Sequence, residues 1–151
     1  MVFGAGRGFA TLRLSLLYRI WYTRDAMSDK GLKRIPAIFF RTAAGREPVR
    51  DWLKELKPVE DRKQIGVDIQ TVEFGWPIGM PVCRPLGDGL YEVRSDLSRN
   101  RIARVLFYID RESRMVLLHG FIKKTQKTPA GDLELARRNK ALHEAEMKKR
   151  G

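Results

Sequence analysis

The stretch LHGFIKKTQKTP, residues 118–129, decides how the rest of the chain is read. Its front end continues the apolar, β-rich run at 115–118. Its back end is a cationic turn in which Lys123, Lys124 and Lys127 alternate with Thr125, Gln126 and Thr128. Pro129 and Gly131 stop a strand there, and Asp132 is placed to cap a following helix. Cations and amides at a strand end suit a phosphate backbone better than a core.

Working back from this turn, four segments have strand character: 82–86, 90–95, 102–109 and 115–122. GDG (87–89) and DRES (110–113) are turn chemistry between them, and DLSRNR (96–101) is a polar, basic loop. Links this short favour an antiparallel meander. Further back, IPAIFFR (35–41) predicts a first strand. Val49, Trp52, Leu53 and Leu56 then recur at helical spacing. Pro48 suits the first turn of that helix and Pro58 ends it. A second helix is predicted over 60–74, with Ile65, Ile69 and Val72 in its stripe and Gly66 weakening it. Forward of the turn, 132–150 is rich in Ala, Glu and Lys and predicts a terminal helix. The expected fold is α+β: two N-terminal helices packed on a three- to four-stranded antiparallel sheet, plus a C-terminal helix. The helices are expected on one sheet face, leaving the other open and polar.

Composition narrows the function classes. The 151 residues suffice for one domain with a real core. The net charge of +12 favours a polyanionic partner such as RNA, DNA or a ribosome. Cys83 is the only cysteine, so an internal disulfide is excluded, and with His119 and His143 alone beside it a Cys/His zinc site has no support. No base can be assigned to activate Cys83 as a nucleophile. Lone-cysteine usage reads as cytoplasmic. Residues 1–26 are expected to be an extension to a domain at 27–151. Arg13 and Arg19 interrupt its apolar run, which is too short to span a bilayer. A transit peptide, a membrane-surface helix and a disordered extension fit it, and the favoured reading is an upstream start codon with the natural chain opening at Met27. Its four Arg and one Asp carry only three of the twelve net charges, so the basic character belongs to the body.

Strand alternation then sorts the candidate site. Leu90, Glu92 and Arg94 share one face, and Tyr91, Val93 and Ser95 the other. Arg104 points away from the apolar set Ala103, Val105, Phe107 and Ile109. An arginine in mid-strand is costly unless paired or exposed. Arg94, Arg104, Lys123 and Lys124 therefore read as a cationic platform, with a plain Glu92–Arg94 or Glu92–Arg104 ion pair as the structural alternative. Glu92 on its strand, Arg99 and Arg101 in the basic loop, and Gln126 and Lys127 in the turn are candidate RNA-binding residues. Unbroken alternation puts His119 with Leu117 and Phe121, the position of a structural histidine. Tyr91, opposite Arg94, reads as core or rim. Both are kept as further candidates.

The order LYEVRS, RIARVLFYI, VLLHGFIKKTQKTP and then a helix resembles the phage-derived branch of the HigB/RelE-type toxins, over about 35–149. The resemblance implies a RelE-like domain. It also implies a metal-independent, cofactor-free endoribonuclease that cuts mRNA in the ribosomal A site, away from any membrane. Its partner is implied to be a small helix-turn-helix antitoxin (HigA-like). The strand cations of that family resemble Arg94 and Arg104, and its cation at the last strand end resembles Lys123 or Lys124. Glu92 stands where well-studied relatives carry a strand lysine. Their terminal tyrosine has no counterpart, since the last tyrosine here is Tyr108. In metal-free cleavage the arginines would bear phosphorane charge. Crowding by like charge weakens an ammonium's hold on its proton, which makes Lys123 and Lys124 the acid/base candidates. Three rival readings are a non-catalytic RNA- or DNA-binding module, a degenerate prophage-encoded toxin and a phage assembly protein.

Overall fold

The computed structural model describes residues 33–123 and 128–151. The expectations for 1–26, and those for Lys124, Gln126 and Lys127, fall outside the described residues. The elements run in the order β1 (Ala37–Phe39), α1 (Pro48–Glu55), α2 (Val59–Gly75), β2 (Cys83–Gly87), β3 (Leu90–Asp96), a 3-10 turn (Ser98–Asn100), β4 (Ile102–Ile109), β5 (Met115–Lys123) and α3 (Ala130–Arg150). Pro48 occupies the first turn of α1, where its missing N–H costs nothing. The GDG turn takes positive φ at Gly87, Asp88 and Gly89, and Asp110 folds the DRES turn by accepting from the N–H groups of Glu112 and Arg114.

The sheet differs from the expected one. It has five strands in the order β1-β5-β4-β3-β2 and is mixed. β2 to β5 form the predicted antiparallel meander, but β1 lies parallel to β5, with Ala37 opposite Met115 and Phe39 opposite Leu117. A parallel neighbour needs a long crossover. Here everything from α1 to β4 supplies it. The Glu73 carboxylate, at the end of α2, accepts from the Ala37 N–H at 2.7 Å and from Lys33 Nζ at 3.2 Å. That anchor ties the helical layer to the edge strand.

The second correction concerns the supposedly open face. One face packs Val93, Ala103, Val105, Phe107, Met115 and Leu117 against Val49 and Leu53 of α1 and Ile65, Ile69 and Val72 of α2. The other buries Leu90, Leu106, Tyr108, Val116 and Leu118 beneath Ala136 of α3. The molecule is therefore three-layered, with only one end of the second face left to polar residues. Burying side chains of this size is worth about 1.5–3 kcal/mol each. α3 disguises its role because its inward stripe includes Asn139, which is buried yet polar. Asn139 Nδ2 donates to the Leu118 carbonyl at 3.0 Å. That carbonyl belongs to a β-bulge: Leu106 pairs with His119 but Phe107 pairs with Leu117, so Leu118 is the extra residue. Among the described residues, no helix is long and apolar enough to cross a membrane.

Candidate functional site

Register places the polar end of the second face in rows. Arg84, Glu92, Leu106 and His119 lie side by side across β2, β3, β4 and β5. The next row is Arg94, Arg104 and Phe121, and the last is Asp96, Ile102 and Lys123. Paired positions on neighbouring strands share a face. Four cations thus come from four strands onto one patch: Arg84 on β2, Arg94 on β3, Arg104 on β4 and Lys123 on β5.

Glu92 is the hub. It is fully buried, and its Oε2 meets Arg84 Nη2 at 3.1 Å and Arg104 Nη1 at 3.5 Å. Its Oε1 accepts from the Thr128 hydroxyl at 2.8 Å, and Thr128 Oγ1 in turn lies 3.5 Å from Arg84 Nη2. The Glu92–Arg104 ion pair weighed as the structural alternative is therefore present. Arg104 is itself fully buried. Burial weakens its hold on the proton, Glu92 strengthens it, and Arg94 and Arg84 oppose Glu92. A guanidinium keeps its charge through such a shift. Arg104 thus acts on the patch as a field source held behind Glu92, and Arg84 and Arg94 are the half-buried guanidiniums that reach solvent. Arg94 makes no ion pair among the described residues, and its Nε is buried without a hydrogen-bond partner. A buried donor of this kind beside two further guanidiniums has the chemistry to bind an anion such as phosphate.

The bulge corrects the placement of His119. It reverses alternation at Leu118, so His119 joins Phe121 and Lys123 on the arginine face, while Gly120 and Ile122 turn to α1 and α2. Gly120 is needed there, since a Cβ would come within 2.5 Å of the Trp52 ring. His119 Nε2 lies 2.7 Å from Asp132 Oδ1, and its ring stacks on Phe121 with centroids 5.4 Å apart. Asp132 is accordingly not the helix cap. Pro129 holds that position, and Asp132 faces His119 from the first turn of α3.

The remaining sequence candidates lie elsewhere. Tyr91 is on the α2 side, stacked on Phe107 and edge-on to Trp76. Arg101 pairs with Asp61 of α2 and bonds Ser98. Arg99 is exposed in the 3-10 turn, at φ 59°. Cys83 is buried, and burial followed by the Glu92 charge pushes its thiol up to about 11, so it is no thiolate. Among the described residues, no three His, Cys, Asp or Glu side chains gather as a metal site would require. Two clefts, of about 360 and 450 Å³, flank α3 at the far end of the face, near Asp110 and Leu142, away from the arginines. Sequence reading missed Arg84 because only the β2–β3 register, which no local pattern fixes, brings it beside Glu92. Its one signal was a position two before Leu86 on a strand opposite LYEVRS.

Fold and site together define a basic three-layer α+β domain with an arginine-lined sheet end. Residues 51–141 match the family described as Phage derived protein Gp49-like (DUF891), and the chain belongs to that family. The matched span holds α2, all of β2 to β5 and the site residues. No curated protein matches the chain significantly.

Proposed function

We propose that this chain is the toxin of a type II toxin–antitoxin pair, of HigB/RelE type. In this reading it is a metal-independent endoribonuclease that cuts mRNA on the ribosome and arrests translation. The carrying observation is Arg94, half-buried, unpaired among the described residues and flanked by Arg84 and Arg104. Membership in a phage-derived family is consistent with a toxin–antitoxin setting. In RNA cleavage the 2′-oxygen attacks the adjacent phosphorus, and the 5′-oxygen leaves. In this reading Arg94 and Arg84 would take the two non-bridging oxygens, with Arg104 adding charge from behind. Glu92 keeps the three guanidiniums from repelling one another apart. The ribosome would supply substrate orientation, a term of roughly 7–11 kcal/mol in favourable systems. A helix-turn-helix antitoxin (HigA-like) with an acidic segment would neutralise the toxin by covering the cationic patch.

The test is induced expression of the full chain in a bacterial host, with primer extension on a reporter mRNA. Growth arrest with cuts inside translated codons is expected, reduced at least about 100-fold in Arg94→Ala. Healthy growth and an intact message, with soluble protein present, would replace this reading with that of a non-catalytic binding module.

A further inference from the structure

Phosphate contacts alone do not cleave RNA; a proton must leave the 2′-hydroxyl and another must reach the 5′-oxygen. Neither Arg84, Arg94 nor Arg104 can do this, since guanidinium stays protonated. On the same face, His119 and Lys123 are the described side chains able to carry a proton, and His119 is the one able to accept it. His119 lies beside Leu106, in the row that ends at Arg84, and two residues along β5 from the Arg94–Arg104–Phe121 row. Strands are spaced by about 4.8 Å, so it stands about two spacings from β3, within reach of a nucleotide bound at Arg94.

Its environment is that of a working base. The side chain is 17% exposed, neither sealed nor free. Asp132 Oδ1, 2.7 Å from Nε2, holds the proton on Nε2 and leaves Nδ1 with its lone pair, and Nδ1 makes no hydrogen bond among the described residues. Phe121 fixes the ring plane by stacking. A carboxylate that fixes the tautomer and steadies the imidazolium is the recurring support of histidine bases.

We infer that His119 is the general base of the proposed RNA cleavage and that Asp132 is its positioning residue. The inference rests on the nuclease reading above. Nδ1 takes the 2′-hydroxyl proton as the P–O2′ bond forms. The P–O5′ bond breaks, and its electron pair goes to the 5′-oxygen, which takes a proton from the Lys123 ammonium at the end of the same strand. The products are a 2′,3′-cyclic phosphate and a 5′-hydroxyl. Water returns the proton from His119 to Lys123, so the protein ends as it began.

The experiment uses the full chain with purified translating ribosomes and a reporter mRNA, following cleavage rate between pH 5.5 and 8.5. His119→Gln should lose at least about 100-fold in rate. His119→Ala should be slow and recover on adding free imidazole, which no structural role predicts. Asp132→Asn should lose about tenfold or more and displace the pH–rate profile. The charged groups facing His119 that bear on that profile are Asp132 from α3, Lys123 on its own strand, and Glu92, Arg84, Arg94 and Arg104 across the sheet. Cleavage that is lost in Arg94→Ala but unchanged in His119→Gln overturns this inference and leaves the nuclease reading standing. Loss in His119→Ala without imidazole rescue, from a protein with an unchanged melting temperature, also overturns it. An uncut message with the wild-type chain removes the nuclease reading, and this inference with it.

Discussion

The C-terminal helix meets a histidine at each end of the sheet face it covers, and the two surroundings differ sharply. At the arginine end His119, on the sheet, reaches Asp132 on the helix. At the far end His143, on the helix, reaches the Tyr108 hydroxyl on the sheet, 2.6 Å from Nδ1. Burial lowers the proton affinity of His143, partly offset by Asp110, and burial raises the Tyr108 phenol, so both stay neutral. Asp110 itself is spent on the turn amides and Arg114. The far pair is a neutral latch that holds the helix down. The near pair has its carboxylate in direct contact and cations around it. The two histidines thus differ in the group they touch, a neutral phenol at the far end and a carboxylate at the near one, although charged side chains stand near both.

The comparison can be broken most forcefully at Glu92. Glu92→Ala strands Arg104 in the interior without its carboxylate and should cost about 3–5 kcal/mol in urea unfolding. A loss under 1 kcal/mol, of the size seen for exposed ion pairs, would mean that water reaches the network. At the latch, Tyr108→Phe removes the hydroxyl hydrogen-bonded to His143 and should cost about 1–2 kcal/mol, with the proposed RNA cleavage unaltered. Lost cleavage there would blur the distinction between the two ends.

A finer test uses pH. The folded state holds His143 below its ordinary value of 6.5, so the unfolded chain takes the proton first as pH falls. The latch therefore contributes fully above about pH 6.5 and less below it, and His143→Gln should flatten the stability curve in that window relative to wild type. An unchanged slope would mean that the imidazole is solvated. The smallest expected effect belongs to Arg84→Ala. It should lower the salt slope of binding to a single-stranded RNA oligonucleotide by about 0.7, the share of one phosphate contact. No change would confine Arg84 to holding Glu92.

Much of the fold was legible because its signals are local. β4 spans the predicted 102–109, β3 and β5 end within a residue of prediction, and α1 begins at Pro48 as its ring demands. What escaped depends on partners far along the chain. No local pattern says whether a three-residue strand joins a sheet parallel or antiparallel, so β1 was expected as a strand but its parallel pairing was not. α3 shows little amphipathicity because Asn139 and His143 stand in its inward stripe, hence the face it covers was read as open. Within the site, Glu92, Arg94 and Arg104 were legible from alternation. Arg84 was not, since only the β2–β3 register brings it to Glu92. The side of His119 was misread because alternation was carried through Leu118 unbroken.

That single residue has a wider consequence. A strand with one extra residue changes phase, so β5 is two short scripts joined at Leu118. The first lies in the core on both of its faces, and the second turns Gly120 and Ile122 to the α1 side but His119, Phe121 and Lys123 to the arginine rows. Asn139 punctuates the joint by occupying the carbonyl the bulge leaves over. Deleting one residue there would rewrite everything downstream at once, turning His119, Phe121 and Lys123 toward Trp52 and Gly120 toward the arginines. Substitutions can accumulate independently in the two halves, whereas a change of length at the joint cannot be absorbed by either.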